Sequence, residues 1–277
     1  MFKSLDQQIE GLKDAKTLDS VQVEKLKTAL SKIKLFTAAA SSAKLAKNNR
    51  FTKYESYILY MSPASMGYSA LNRRGSLCPN ASPGCMQACL NTAGRGRFDS
   101  VARARLRKAL YYIQFTSDFV KHAMAEVSKL RAKVKRGKQL VIRLNGTTDI
   151  NWIAHRVQGL NIFEMFPDVQ FYDYTKNLQY GLKSQTYKNY NITFSASECN
   201  AVQWQAALDA GLNVAMVFKS RPEVYHGIKV IDGDLHDLRF LDGNNGSGII
   251  VGLTAKGKAK SDTSGFVVQS CRVLKSA

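Results

Sequence analysis

Cys78, Cys85 and Cys89 fall within twelve residues of a chain that has only five cysteines. The segment between them contains Pro79, Pro83 and Gly84, so the backbone can turn and bring three thiolates towards one point. Soft thiolate ligands select zinc or an iron–sulfur cluster. Zinc sites usually pair their cysteines at short spacing. Here the pattern is C-x6-C-x3-C, with one pair near that interval. Two readings stay open: a cluster with one iron left without a cysteine, or a closed structural site holding zinc or a fully ligated cluster. Cys271 and Cys199 are the candidates for a fourth ligand, and either could equally be a buried thiol.

Other chemistry-bearing residues surround this loop in sequence. The turn Gly94-Arg95-Gly96-Arg97 feeds a basic stretch with Arg103, Arg105, Arg107 and Lys108. Arginines so close to a metal loop suit a phosphate-bearing ligand, whereas a solvated helix face is the plainer reading. Lys256 and Lys258 could join the same basic rim. Asp149, Lys176 and Glu198 follow predicted strands and are candidate catalytic residues, with Asp173 and Lys256 as further strand-end charges. Helix caps and rim ion pairs would use the same residue types. Asp232, Asp234, Asp237 and His236 could bind a divalent metal, but an Asp-Gly-Asp turn leading into a polar surface helix is the preferred reading. His122, His155 and His226 are isolated in sequence. No Gly-x-Ser-x-Gly elbow, no Ser/His/Asp arrangement and no phosphate loop ending in Gly-Lys-Ser/Thr occurs.

Composition narrows the partners. The 277 residues carry a formal net charge of +19, and 45% are hydrophobic. Such a field attracts polyanions, so nucleic acid or a phosphorylated small molecule is the expected partner. No apolar run reaches the length of a membrane span. Met1 to Lys16 is charged and lacks a signal-peptide hydrophobic region. A reducing compartment is therefore expected, where clustered cysteines are ligands or catalytic groups more often than disulfides.

These residues need an α/β scaffold. Apolar spacing predicts helix from Leu5 to about Asn49, with a cap at Asp19-Ser20, as an N-terminal extension over residues 1–50. One long basic helix is predicted over Ser100–Arg136. Candidate strands are Tyr57–Met61, Gln139–Leu144, Val169–Tyr172, Ile192–Ser195, Val214–Phe218, Lys229–Ile231, Ile249–Leu253 and Phe266–Val268, with helix-like segments such as Asn200–Ala210 between them. This alternation predicts parallel strands in a partial or closed (β/α) barrel over residues 51–277, with the cysteine-rich loop at 72–97. Polar residues end nearly every strand, which is the rim where such folds build their sites.

The run Cys78-Pro79-Asn80-Ala81-Ser82-Pro83-Gly84-Cys85, followed by Cys89 and Thr92-Ala93-Gly94-Arg95-Gly96-Arg97, resembles the signature of the phage gene-product-88 family. Arg143-Leu144-Asn145-Gly146-Thr147-Thr148-Asp149-Ile150 and Tyr172-Asp173-Tyr174-Thr175-Lys176 share the resemblance, which leaves the N-terminal helices outside it. It implies a viral protein of the host cytoplasm. More loosely, the chain is similar to radical S-adenosylmethionine enzymes, which place three cysteines after the first strand of a partial barrel. Their usual spacing is C-x3-C-x2-C. That likeness implies a 4Fe-4S cluster binding S-adenosylmethionine. It implies that Asn145, Gly146 and Thr147 hold the cofactor's amino group, and that Gly248 and Gly252 support adenine. The leading expectation is an iron–sulfur protein acting on a nucleotide or nucleic acid by radical chemistry. The alternative is a non-enzymatic nucleic-acid-binding protein with a structural cysteine site.

Overall fold

The computed structural model describes residues 2–38, 51–89, 91, 94–243 and 246–269. In chain order the helices are α1 (Leu5–Lys13), α2 (Ser20–Leu30), α3 (Met66–Ser69), α4 (Pro83–Gln87), α5 (Asp99–Gln114), α6 (Thr116–Lys133), α7 (Ile162–Met165), α8 (Leu178–Ser184) and α9 (Ala201–Asp209). The strands are β1 (Phe36–Ala38), β2 (Tyr54–Leu59), β3 (Gln139–Arg143), β4 (Gln170–Thr175), β5 (Tyr190–Ser195), β6 (Val214–Phe218), β7 (Val224–Tyr225), β8 (Ile228–Asp232), β9 (Ile250–Thr254) and β10 (Val267–Val268). None of the described helices is long and apolar enough to cross a membrane. The chain divides into two compact units, Met1–Pro79 with Gly94–Phe171 and Asn80–Ala93 with Tyr172–Ala277.

In the first unit, Ser4 and Asp19 open α1 and α2 with capping boxes, each completed by a glutamine three residues on. The expected cap at Asp19-Ser20 is therefore formed. Helix α1 lies on α5, where Arg107 donates to Gln8 at 2.6 Å and Gln114 donates to the Leu12 carbonyl at 2.7 Å. The helix expected to reach Asn49 does not continue. Leu35 and Phe36 donate their N–H groups to the Glu126 carboxylate at 2.8 and 3.1 Å, and Lys108 donates to the Leu35 carbonyl at 2.5 Å. Those bonds hold the backbone extended, and β1 pairs antiparallel with β2. Residues 39–49 of that prediction lie outside the described residues. The single helix expected over Ser100–Arg136 is also corrected. It breaks at Phe115, whose φ of −135° and ψ of 57° lie outside the helical region. Strand β2 runs parallel to β3, and β3 runs parallel to the start of β4.

In the second unit β5, β6 and β9 run parallel, β8 adds parallel to β9, and β10 pairs with the end of β6. The hairpin of β7 and β8 turns on two residues with positive φ, His226 at 51° and Gly227 at 77°. That is the primed turn a two-residue hairpin requires. Phe194, Leu208, Leu212, Val214, Met216, Phe218 and Ile250 form its apolar core. The fold is thus α/β, and the described strands form a ten-stranded, mostly parallel sheet. Among the described residues this sheet is not closed, because β1 and β7 each pair with one strand.

Candidate functional site

The chain leaving β3 makes the turn Asn145-Gly146-Thr147-Thr148. The buried Asn145 side chain donates to the Ile150 carbonyl at 2.9 Å and accepts from Thr148 Oγ1 and the Ile150 N–H, both at 3.0 Å. Gly146 donates to the Leu59 carbonyl at 3.0 Å, and a Cβ there would stand 2.6 Å from that oxygen. Thr147 Oγ1 donates to the Met61 carbonyl at 2.5 Å. Of the three residues expected to hold a cofactor, Asn145 is thus tied into the turn itself, while Gly146 and Thr147 tie the turn to the chain at and after the end of β2. The same turn fixes one cysteine. Asp149 donates its N–H to the Leu77 carbonyl at 2.8 Å, and Cys78 Sγ lies 3.4 Å from the Ala64 N–H and 3.6 Å from the Thr147 carbonyl.

Cys85 and Cys89 belong to the second unit, on and just after the five-residue helix α4. Ser82 caps this helix by accepting the Cys85 N–H at 3.2 Å, and Pro83 follows in the first turn. Glu198, in the loop after β5, receives Ser82 Oγ on one carboxylate oxygen and the Gly84 N–H on the other, each at 2.8 Å. Past the helix, the buried Ala88 joins Ala255, Ala259 and Val267 in a small apolar cluster. Lys176, in the loop after β4, donates to Ser195 Oγ at 2.8 Å and stands 5.7 Å from the centre of the Phe266 ring. Phe266 in turn abuts Gly84, where an added Cβ would lie 2.7 Å from the phenylalanine Cβ. Lys176, Glu198 and the Cys85 helix therefore share one group of contacts at strand ends. Ser195 and Phe266 complete it and were not singled out from sequence. Pro83 reads from sequence only as a turn residue, although a serine followed by proline is also a helix-start signal and could have located α4.

Other expected residues sit elsewhere. Gly248 and Gly252 serve packing. A Cβ on Gly248 would lie 2.0 Å from the Leu212 carbonyl oxygen, and one on Gly252 2.6 Å from Arg221 and Val230. Arg103 pairs with Asp6, and Arg107 bonds Gln8, so both hold α1. Lys256 pairs with Asp234. Arg95, Arg97 and Lys258 are exposed. Cys271 lies outside the described residues, and Cys199 is exposed.

The Asp232–Asp237 region is not the polar surface the sequence suggested. Asp237 is buried and accepts from Tyr172 at 2.9 Å, while Asp242 and the fully buried Arg239 approach to 3.1 Å. Burial pushes the Asp242 carboxyl up to about 6, against the opposing pull of Arg239. Asp234 is held below the usual carboxylate range: burial works against this, but the bonds from Lys256 and Thr254 outweigh it. In the first unit, the sequence-isolated His155 meets the Tyr112 hydroxyl at 2.8 Å. Burial lowers the His155 pKa and raises that of Tyr112 to about 12.

Cys78, Cys85, Cys89 and Cys199 are thiols, not disulfides. Among the described residues, no group of three or more His, Cys, Asp or Glu side chains is arranged to hold a metal ion. A family model described as Gene product 88 matches residues 32–270, and the chain belongs to that family. Helices α1 and α2 lie outside the match, as expected. No curated protein and no solved structure matches the chain.

Proposed function

We propose that this is a phage iron–sulfur protein in which Cys78, Cys85 and Cys89 are the cluster ligands. The observation that carries the reading is the docking of α4. Its cysteine-bearing helix is held at strand ends by Glu198, beside Lys176, where α/β proteins carry out their chemistry. The donor chemistry suits the group, since the three thiols are not in disulfides and each is half-buried, but their present arrangement does not form a metal site, so binding requires the cysteine segments to converge. The parallel pairing of β2 with β3, and of β5 with β6, supports a likeness to the partial barrel of radical S-adenosylmethionine enzymes. When bound, a 4Fe-4S cluster supplies one-electron transfer, and an iron without a cysteine ligand can bind S-adenosylmethionine. The chain's own part is to hold an anionic substrate. Lys176 offers an ammonium group at the end of β4, and Arg95 and Arg97 suit the phosphates of a nucleotide or nucleic acid. The protein would act in the host cytoplasm.

The second reading is a non-enzymatic nucleic-acid-binding protein with zinc or a closed cluster in a structural cysteine site. It is favoured by the exposure of Arg95, Arg97 and Lys258 on a chain of net charge +19. Anaerobic purification followed by iron, sulfide and zinc analysis separates the two. Iron with matching sulfide and visible absorbance is expected, lost on replacing Cys78, Cys85 or Cys89 by alanine. A colourless protein with stoichiometric zinc supports the second reading, and a metal-free protein defeats both.

A further inference from the structure

Glu198 stands where sequence reasoning expects a catalytic residue, yet both its oxygens accept hydrogen bonds from the cysteine segment. We infer that Glu198 is a positioning residue that fixes Cys85 and Cys89, an inference that rests on reading those thiols as metal ligands. A five-residue helix is too short to hold its own geometry. The orientation of α4 must come from its docking points. At its start, Ser82 Oγ and the Gly84 N–H both reach Glu198. Bonds to an ionised acceptor are about twice as strong as neutral ones. At its far side, Ala88 is buried against Ala255, Ala259 and Val267. Gly84 lets the helix approach this closely, since a Cβ there would lie 2.9 Å from Glu198 Oε1 and 2.1 Å from Ser264 Oγ.

The carboxylate is itself held. Asn200 accepts the Ser197 N–H at 2.7 Å and donates to the Ser195 carbonyl at 3.1 Å, which ties the Glu198 loop to the end of β5. Position therefore passes from β5 through Asn200 and Glu198 to Ser82 and Gly84, and so to Cys85. The Cys78 sulfur has different neighbours, the Ala64 N–H and the Thr147 carbonyl, within the first unit.

That difference supplies an internal reference. The test is the labelling rate of each cysteine by iodoacetamide in the folded, chelator-treated full chain, resolved by mass spectrometry. In Glu198→Ala, Cys85 and Cys89 should label about tenfold faster or more, as loss of two bonds to a charged group allows. Cys78 should change less than about twofold, because its neighbours are untouched. Glu198→Gln keeps an acceptor and should recover most of the wild-type rates. Unchanged Cys85 labelling in Glu198→Ala overturns the inference. If that variant fails to fold, shown by all three thiols accelerating together, Ser82→Ala decides. It removes one arm and should accelerate Cys85 over Cys78, and equal rates overturn the inference. A purified wild type without metal defeats the ligand reading alone, since the labelling contrast is measured without metal.

Discussion

At the scale of single residues, two glycines near the cysteines separate lack of space from backbone conformation. Gly84 has no room: a Cβ would lie 2.1 Å from Ser264 Oγ and 2.7 Å from Phe266 Cβ. The serine can rotate away, but the phenylalanine Cβ moves only with its backbone. Gly94 has space, with nothing within 4 Å of an added Cβ, yet its φ of 55° is one that other residues rarely adopt. Gly84→Ala should therefore cost about 1–3 kcal/mol through overpacking. Gly94→Ala should cost about 1 kcal/mol through left-handed strain. Thermal denaturation of the two variants checks the order, and a Gly84→Ala protein as stable as the wild type would contradict the packing at α4. The ligand candidates were legible in sequence because cysteine is scarce, and Lys176 and Glu198 because they follow apolar runs. Their partners were not legible. Ser195 is 19 residues from Lys176, and Glu198 is 114 residues from Gly84. Contacts of that kind are made by tertiary packing, which no local spacing encodes. Asn145, Gly146 and Thr147 were found as a motif, but the bonds of Gly146 and Thr147 to Leu59 and Met61 appear only once β2 and β3 are paired.

Among elements, the start of β1 is governed by a buried lysine. Lys108 is 7% exposed, and burial lowers its pKa to about 8 from an ordinary 10.5, with Glu126 pulling the other way. Between those values the unfolded chain binds more of this proton than the folded one, so folding stability rises as pH rises from about 8 to about 10.5. Below pH 8 the folded state carries the cost of the buried charge. The full swing corresponds to about 3 kcal/mol. Other groups titrate in the same range, so the readout is the difference between wild type and Lys108→Met by denaturant unfolding. Lys108→Met loses the bond to Leu35, yet its stability relative to wild type should fall steadily from pH 8 to 10.5. A difference independent of pH would show that Lys108 keeps its ordinary pKa in the folded protein. The same contacts explain what the sequence concealed about this element. Helical spacing runs through Leu30 and Ile33, but Glu126 and Lys108, 90 and 73 residues away from their partners, hold the backbone extended. The central strands were legible because each is an apolar run buried on both faces, as in Leu140-Val141-Ile142 and Val214–Phe218. Closure was not legible, since it depends on which strands become edges. The paired β7 is only two residues long, too short to carry a periodic signal.

For the molecule as a whole, the net charge of +19 is a sequence-level quantity, but the structure sorts the cations that produce it. Arg103 and Arg107 are committed to α1, and Lys256 to Asp234. Replacing those residues removes internal partners, so the effect falls on stability. Arg95, Arg97 and Lys258 are exposed, and Arg97 rests 5.8 Å from the Phe98 ring, a surface arrangement that leaves its charge accessible to an anion. If the partner is a nucleic acid, counterion release sets the salt dependence, and each lost phosphate contact reduces the slope of log K against log salt by about 0.9 on duplex DNA. A fluorescence-anisotropy titration over a range of salt should therefore give a steep slope for the wild type and one lower by about two for Arg95→Ala with Arg97→Ala. Arg103→Ala with Arg107→Ala should keep the wild-type slope and lower the melting temperature instead. The two double variants carry the same change in net charge, so a bulk-charge effect would move both slopes equally. Equal slopes would assign binding to the diffuse field, whereas a drop confined to Arg95 and Arg97 would assign it to the turn that follows the cysteines.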